Sequence, residues 1–309
     1  MRVLVLEYVT GGGMRGEALP PSLAAEAVLI RDAMLRDLAA LPTPPEIVTT
    51  CDDRLPLAGA LPVGPATDAL ALWRALATGC DLVWPVAPET GGVLADLVRM
   101  LGESGARVLA SSPAAILAAT SKRETARRLA VAGLPHIPTF PLADAPPMEG
   151  ACVTKPDDGA GCTDTRLWPA GAPATPEPVV GLVIQPYVAG EAASLTAIAT
   201  ADGTRLLAVN RQHMAVRDGT FHLDGLTVGA RSDPDGSLAA LARQVAAVFP
   251  GLEGLFGIDI ILTTEGPVVV EVNPRLTTAY AQLSSVLGFN AATLLPDFAG
   301  GAVAAAAVA

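Results

Sequence analysis

Short apolar runs alternate with helical patterns along the first third of the chain, and this alternation limits the folds open to it. The predicted strands are Arg2–Val9, Glu46–Thr50, Asp81–Val86 and Arg107–Ser111, and the helices between them are Ser22–Leu41, Ala66–Thr78 and Gly91–Gly102. Strands that alternate with helices form a parallel sheet. We therefore predict an α/β domain over residues 1–111, with Ser22 as the N-cap of its first helix.

The chain after residue 111 changes in character, because strands and helices no longer alternate regularly. The predicted helices are Thr120–Ala132, Gly236–Val248 and Ala281–Leu287, and the strands are Ala151–Lys155, Val179–Val188, Ser194–Thr200, Arg205–Arg211, Leu255–Leu262 and Pro267–Val272. This mixture predicts an α+β region, which we divide into subdomains at 112–183 and 184–309. Pro141–Gly150 and Pro169–Pro178 are connectors, and Ala299–Ala309 is interpreted as a helix end.

Charge and cysteine spacing narrow the classes of function. The formal net charge is -11, from 31 acidic against 20 basic residues, so the backbone of a nucleic acid would be repelled. No stretch reaches the ~20 strongly apolar residues of a membrane span, and the opening residues lack a signal-peptide pattern. Cys51, Cys80, Cys152 and Cys162 form no C-x-x-C pair, which is typical of reduced thiols. We expect a cytoplasmic protein without a nucleic-acid or membrane partner.

Lysine is rare in this chain, which otherwise uses arginine for its basic residues. Lys122 and Lys155 are the only lysines among 20 basic residues. A lysine ammonium approaches phosphate oxygens as a point charge, whereas a guanidinium suits bidentate pairs. Lys155 leads into V-T-K-P-D-D-G-A-G, where Gly159 and Gly161 allow backbone N–H groups to surround an anion. The sequence is not a P-loop, and an ordinary hairpin turn is the alternative interpretation.

A second group of polar residues lies in a predicted hairpin, G-I-D-I-I-L-T-T-E-G-P-V-V-V-E-V-N-P-R. A three-residue loop at Thr264–Gly266 would place Asp259 opposite Glu271, with Asn273 on the same face. The other face would carry Ile258, Ile260, Val270 and Val272. Two carboxylates and an amide oxygen suit Mg²⁺, which also takes water and phosphate oxygens. An amphipathic hairpin with its polar face in water is the alternative.

Arginines and histidines supply the remaining candidates. Arg211 and Arg275 could neutralise a transferring phosphoryl group or hold a carboxylate, with a solvated surface role as the alternative. For His213 we favour a structural role over one lining a substrate, and we interpret His136 and His222 as structural.

These motifs together resemble the ATP-grasp superfamily over nearly the whole chain, in order and in spacing. The resemblance rests on S-K-R-E-T-A-R-R-L-A-V-A-G-L-P, V-T-K-P-D-D-G-A-G, V-I-Q-P-Y-V-A-G-E, G-I-D-I-I-L and V-E-V-N-P-R. It implies an ATP-grasp fold, in which a Rossmann-like, pre-ATP-grasp parallel-sheet domain is followed by two α+β subdomains that clamp ATP.

The resemblance also implies roles for individual residues. Beside these residues we predict that Arg211 and Arg275, by their charge and position, are catalytic. Mg²⁺, as one ion or two and with Mn²⁺ as a substitute, would be held by Asp259, Glu271 and Asn273. ATP would be held at its phosphates by Lys122, Lys155, Gly159 and Gly161, at adenine by Gln185, Tyr187 and Val188, and at the ribose by Glu191. Gln185 replaces the glutamate usual in the family, which gives backbone groups more weight in adenine recognition.

Within the superfamily, the tyramine–glutamate ligases of methanofuran and methylofuran biosynthesis are the most similar group. The shared motifs are E-Y-V-T-G-G-G, P-E-T-G-G, N-R-Q and N-P-R-L-T-T. The resemblance implies that the γ-carboxylate of L-glutamate is joined to tyramine or tyrosine through an acyl-phosphate. The substrate-binding residues would be Thr10, Gly11, Gly12, Gly13, Glu89 and Tyr280. For the three glycines, a tight turn that serves no ligand is the alternative.

Two other functions are compatible with the same motifs. One is an ATP-grasp ligase for another amine or amino-acid acceptor, and the other is a regulator that binds ATP without turnover. The expected partners are small-molecule substrates, and an exposed sheet edge or helix of the N-terminal domain could support a homodimer.

Overall fold

The computed structural model describes residues 1–159, 161–171 and 181–299, and the chain forms two compact units. Unit 1 contains Met1–Pro88, Val93–Pro113 and the segment that begins at Arg275, whereas unit 2 contains Glu89–Gly92 and Ala114–Pro274. This division differs from the predicted boundaries. Unit 2 continues across residue 183, and the C-terminal segment belongs with the N-terminal sheet.

The described strands and helices are numbered along the chain. The strands are β1 Arg2–Glu7, β2 Glu46–Asp52, β3 Leu61–Val63, β4 Leu82–Val86, β5 Arg107–Val108, β6 Phe140–Pro141, β7 Cys152–Pro156, β8 Arg166–Trp168, β9 Leu182–Pro186, β10 Glu191–Thr200, β11 Gly203–Arg217, β12 Thr220–Arg231, β13 Gly254–Thr263 and β14 Gly266–Asn273. The helices are α1 Pro21–Ala39, α2 Ala69–Thr78, α3 Val93–Gly102, α4 Pro113–Thr120, α5 Lys122–Val131, α6 Ser237–Ala247 and α7 Tyr280–Leu287.

Most predicted elements are present with shifted ends, and the differences are local. β3, β6, β8, β12 and α4 are absent from the sequence prediction, and β11 continues to Arg217 instead of ending at Arg211. The predicted helix end after Ala299, the start of the predicted strand at Val179 and residues 172–178 of the second connector lie outside the described residues.

Unit 1 is built on a parallel sheet with the strand order β3-β2-β1-β4-β5, which confirms the predicted α/β fold. Val3, Leu4, Val5 and Leu6 of β1 are all fully buried, as expected for a central parallel strand covered on both faces. The strand order reverses between β1 and β4. In such sheets, ligands bind at the carboxyl ends of the strands at this switch point.

The chain leaves β1 through a tight turn at Val9–Gly13. Gly12 has a φ of 102°, and a Cβ at this position would lie 2.5 Å from the Cβ of Val63. Thr50 Oγ1 donates to a carbonyl of the turn at 2.8 Å and accepts from Trp73 Nε1 at 2.9 Å. The glycines therefore have a structural reason for their presence, because the turn packs its backbone directly against β2, β3 and α2.

The start of α1 corrects the predicted cap. Pro20 is the N-cap and Pro21 follows it, with no side-chain hydrogen bond at the cap, so Ser22 lies inside the first turn. Proline has no N–H to satisfy and its φ suits a helix start, so a capping hydroxyl is not needed here. By contrast, Asp68 caps α2 and accepts from Ala71 N at 3.0 Å.

Polar contacts around Asp37 of α1 attach the C-terminal segment to unit 1. Ser284 Oγ donates to Asp37 Oδ2 at 2.7 Å, and Asn290 Nδ2 donates to the Asp37 carbonyl at 2.7 Å. Tyr280 is 1% exposed, and its ring packs edge-on against Trp84 with the centroids 5.8 Å apart. Helix α7 therefore contributes to the core of unit 1.

Unit 2 is built on a sheet with the described order β14-β13-β10-β11-β12-β8-β7-β9-β6, whose neighbouring strands are antiparallel. Apolar residues of its long strands share one core with helices α5 and α6. The largest contributors are Leu129, Leu195, Leu241, Val245, Phe249, Phe256, Ile258, Ile260 and Val272. This core positions the strands that carry the candidate site.

We expect Gly12→Ala to lower the free energy of unfolding by about 1–3 kcal/mol, because alanine must adopt a positive φ and its Cβ would overlap Val63. Urea unfolding of the purified variant measures this loss. Gly16→Ala is the matched control, because a Cβ there meets no atom within 4 Å and no positive φ is required. Equal stability of the two variants would contradict the packing explanation.

Candidate functional site

The hairpin of β13 and β14 brings two carboxylates together in unit 2. Asp259 pairs directly with Glu271, which confirms the predicted register. The connecting loop has two residues instead of the predicted three, and a bulge next to Asp259 restores the register. Because of this bulge, Val269 takes the core position that was predicted for Val270.

The two carboxylates end a row of polar residues that crosses four strands. Asn210 pairs with Ser194, Ser194 with Asp259, and Asp259 with Glu271. Directly paired residues of antiparallel strands point to the same face of a sheet. Asn273, two residues after Glu271, donates its Nδ2 to Asp259 Oδ2 at 3.4 Å. The opposite face of the same strands is the apolar core.

Both lysines lie beside these carboxylates. Lys122, the first residue of α5, pairs with Glu271 at 3.3 Å between Nζ and Oε2, and it also donates to the Gly159 carbonyl. Lys155 on β7 is 6% exposed and interacts electrostatically with Glu271 and Asp259. The structure thus joins the predicted phosphate-binding lysines and the predicted metal ligands in one cluster.

Burial and charge shift the pKa values of this cluster. Burial and the Glu271 carboxylate raise the pKa of Asp259 well above its ordinary value. Burial acts in the same direction on Glu271, but the ammonium groups of Lys122 and Lys155 outweigh it and lower the pKa of that carboxyl. Burial lowers the pKa of Lys155 to about 8, against the attraction of Glu271. A cation between the carboxylates would relieve the repulsion that keeps a proton on Asp259.

The donor set fits a hard divalent cation. Asp259, Glu271 and Asn273 offer two carboxylates and an amide oxygen on one sheet face, and oxygen ligands with bound water suit Mg²⁺. Among the described residues, no group of three or more His, Cys, Asp and Glu side chains is arranged to hold a metal ion.

The glycine loop after β7 is attached to the start of α5. Ser121 Oγ caps this helix and also donates to Asp157 Oδ2 at 2.7 Å. The loop thereby reaches Lys122, whose Nζ lies on the Gly159 carbonyl. Gly161 has a φ of 65°, a conformation that favours glycine. Phosphate binding by the backbone of Gly159 and Gly161 stays a prediction.

The predicted adenine-binding strand is β9 with the residues that follow it. Gln185 is buried, and its Nε2 donates to Thr139 Oγ1 at 2.7 Å. The Tyr187 N–H donates to the Ala151 carbonyl at 2.9 Å, while the Tyr187 side chain is exposed. The Gln185 amide and the Tyr187 N–H are thus engaged within the protein, and adenine contacts at Tyr187 and Val188 stay a prediction.

Two predicted site residues point away from the carboxylate cluster. Glu191 pairs with Arg211 at 2.7 Å, and Arg231 contacts the same carboxylate. Asn210 and Gln212, the neighbours of Arg211 along β11, both point to the carboxylate face, so Arg211 points to the other face. The alternation of the strands therefore places Arg211 and Glu191 on the face opposite to the carboxylates. A catalytic Arg211 and a ribose contact from Glu191 stay predictions.

In unit 1, a buried acid at the end of β1 organises two predicted residues. Glu7 is 4% exposed and accepts from the backbone N–H groups of Val9 at 3.3 Å and Thr10 at 2.6 Å. Burial raises the pKa of Glu7, although these hydrogen bonds and the charge of Arg275 oppose the shift. Thr10 and Arg275 thus lie around one carboxyl group, at the switch point of the parallel sheet.

The two remaining predicted substrate residues are both buried. Tyr280 packs in the core of unit 1, so its placement does not support contact with a substrate. Glu89 is 4% exposed and belongs to unit 2, where the next residues contact the glycine loop. Thr90 Oγ1 donates to the Asp158 carbonyl and Gly91 N donates to Asp158 Oδ2, both at 3.0 Å.

Several residues of the site were not predicted from the sequence. Gln212 contacts Asp259, Asp157 joins the glycine loop to α5, and Glu7 underlies the turn after β1. A polar residue that ends an apolar strand, as Glu7 does, is a usable signal in the sequence. Gln212 belongs to the N-R-Q motif, but its contact with Asp259 depends on strands that are distant in the sequence.

An acidic pair with two lysines beside it, in a chain that joins a parallel α/β sheet to an antiparallel one, is the kind of arrangement expected of a protein that binds nucleotide phosphates with a metal. An ATP-grasp domain matches residues 119–279, and a pre ATP-grasp 3 domain matches residues 45–116. The chain therefore belongs to the ATP-grasp family, whose members bind ATP with Mg²⁺. No match was found among curated proteins.

Solved structures support the same fold. An ATP-grasp superfamily protein from Archaeoglobus fulgidus has a TM-score of 0.76 and 21% identity, over 96% of this chain and 88% of that one. L-amino acid ligase from Bacillus licheniformis has a TM-score of 0.64 and 15% identity, over 94% and 71%. D-alanine–D-alanine ligase from Bacillus anthracis complexed with ATP has a TM-score of 0.60 and 13% identity, over 96% and 95%. At these identities the likeness shows the fold.

None of the helices in the described ranges combines the length and hydrophobicity required to span a bilayer.

Asp259→Asn tests the shifted pKa. A carboxyl whose pKa rises on folding from 3.8 to about 8 stabilises the protein at low pH, and this contribution is lost as the pH rises through that range. We therefore expect the free energy of unfolding of the wild type to fall between about pH 5 and about pH 8, and that of the variant to fall less.

Urea unfolding with a metal chelator present measures both profiles. Asp224→Asn is the control, because Arg217 lowers the pKa of this exposed carboxyl and its titration lies below the window. The control should follow the wild type. Parallel profiles for wild type and Asp259→Asn would show that Asp259 titrates normally.

Proposed function

We propose that the protein is an ATP-dependent carboxylate–amine ligase that makes an amide through an acyl-phosphate. The observation that carries this proposal is the cluster in which Lys122 and Lys155 lie beside the paired carboxylates Asp259 and Glu271 in an ATP-grasp domain. Carboxylates are poor electrophiles, so a carboxylate must be activated before an amine can attack it. Phosphoryl transfer from ATP provides that activation.

The roles of the residues follow from their charges. Lys122 and Lys155 would hold phosphate oxygens, because both are buried cations whose present counter-charges are the cluster carboxylates. Asp259, Glu271 and Asn273 would hold Mg²⁺, which when bound neutralises charge on the transferring phosphoryl group. The protein would act by positioning its substrates and by complementing charge.

The reaction requires two transfers. An oxygen of the acid attacks the γ-phosphorus of ATP, the bond to the bridging oxygen breaks, and ADP leaves with that electron pair. The amine then attacks the acyl carbon, phosphate leaves, and the amine loses a proton. In unit 1, the Thr10 and Arg275 pair around Glu7 is the candidate for holding the acid, since a guanidinium can bind a carboxylate.

For the substrates we propose the γ-carboxylate of L-glutamate and tyramine or tyrosine, as in methylofuran-type cofactor biosynthesis. The support is the set of motifs at Glu7–Gly13, Pro88–Gly92, Asn210–Gln212 and Asn273–Thr278. A ligase for another amine or amino-acid acceptor is the second candidate, favoured by the shared fold with L-amino acid ligase. We propose that the protein acts on small molecules in the cytoplasm. If it self-associates, we propose that it forms a homodimer.

The first experiment measures ADP release from purified protein with ATP and Mg²⁺, adding L-glutamate and each amine separately and together. ADP that requires both partners, with a product mass equal to the γ-glutamyl amide, would support the proposal and name the amine. ADP with glutamate and other amines would favour the second candidate. Bound ATP without ADP, across a broad screen of acids and amines, would favour an ATP-binding regulator instead.

We expect Lys155→Met and Glu271→Gln each to lower kcat by about 100-fold or more, because each removes a charge that complements the transferring phosphoryl group. The same ADP assay measures the loss, and circular dichroism checks folding. Arg217→Met is the control, since Arg217 forms an exposed ion pair with Asp224 at the far end of β11. Near-normal turnover by Glu271→Gln would overturn the metal assignment.

A further inference from the structure

A neutral side chain outside the predicted site contacts one of its carboxylates. Gln212 on β11 donates its Nε2 to Asp259 Oδ1 at 3.1 Å. Asn273 donates to the other oxygen, Oδ2, at 3.4 Å. The carboxylate is thus held at both oxygens by amide groups from two different strands, and each oxygen keeps a lone pair that a cation can use.

The backbone that carries Gln212 is fixed by a buried residue. Asn210 is fully buried, and its Nδ2 donates to Ser194 Oγ at 3.1 Å and to Thr196 Oγ1 at 2.9 Å, both on β10. Its Oδ1 accepts from the Gly229 N–H on β12 at 3.2 Å. Asn210 therefore ties β11 to both neighbouring strands, two residues before Gln212 and on the same face.

We propose that Gln212 is a positioning residue for Asp259, and that Asn210 holds the strand that presents it. The inference rests on the proposed function in one respect, which is that Asp259 binds a divalent cation. A group that hydrogen-bonds to a metal ligand and fixes its orientation raises the affinity for the metal without contacting the metal itself. A neutral amide suits this task here, because it fixes the carboxylate without adding a cation that would compete with the metal.

The test is Gln212→Ala, with the affinity for Mn²⁺ in the presence of ADP measured by electron paramagnetic resonance. We expect the dissociation constant of Mn²⁺ to rise by about 10- to 100-fold. Gln212→Asn should behave in the same way, because its shorter side chain places the amide out of reach of Asp259. Arg217→Ala on the same strand is the control and should bind Mn²⁺ as the wild type does. Unchanged affinity in both Gln212 variants would overturn the inference.

A second measurement needs neither metal nor turnover. The chain has four glutamines and three asparagines, so the side-chain amide region of a ¹⁵N correlation spectrum is sparse. The Gln212 signals are assigned by their loss in Gln212→Ala. They should shift in Asp259→Asn and stay in place in Asp224→Asn. If the chemical shifts of the Gln212 amide are the same in Asp259→Asn as in the wild type, the inference is overturned, even if the protein binds no Mn²⁺.

These readouts separate the inference from the proposed function. A wild type that binds Mn²⁺ with ADP but forms no amide with any acid would remove the ligase assignment alone. Reduced Mn²⁺ affinity in Gln212→Ala would then still support the positioning role.

Discussion

The pairing of Asp259 with Glu271 is the constraint on which the rest of unit 2 depends. Two carboxylates on neighbouring strands repel each other in a buried environment, so the fold must supply positive charge that compensates for them. Lys122 arrives from the start of a helix and Lys155 from a strand on the other side of the sheet order. The glycine loop, its bond to Ser121 and the cap of α5 are then needed to hold these cations in place.

Local patterns in the sequence were sufficient to predict those features that depend on a single strand or a single hairpin. The parallel sheet of unit 1 followed from alternating elements, and the facing of Asp259 and Glu271 followed from a short loop between two strands. Even there the predicted loop length is wrong, because the loop is one residue shorter than predicted. A bulge next to Asp259 compensates for the missing residue. The shorter loop and the unpredicted bulge cancel at Asp259, so its pairing with Glu271 is as predicted. Between the loop and the bulge they do not cancel, and Val269 lies in the core where Val270 was predicted.

Placement that depends on distant pairing could not be read from the sequence. Whether Arg211 or Gln212 faces the carboxylates is decided by how β11 pairs with β10, and a shift of one residue would exchange the two. Its charge and its place at the end of a predicted strand favour Arg211 as the site residue, whereas the strand presents its neutral neighbours Asn210 and Gln212 to the site. The ion pair of Glu191 with Arg211 has the same origin, because it too depends on how these distant strands pair.

The return of the C-terminal segment to unit 1 has a consequence for how the chain folds during synthesis. All the strands of unit 2 precede Arg275, so this unit is complete before α7 has been made. Unit 1 starts first but lacks the partners of Asp37 until Ser284 and Asn290 emerge. On the ribosome, where the N-terminal parts of a chain usually fold first, the first unit to begin is therefore the last to finish.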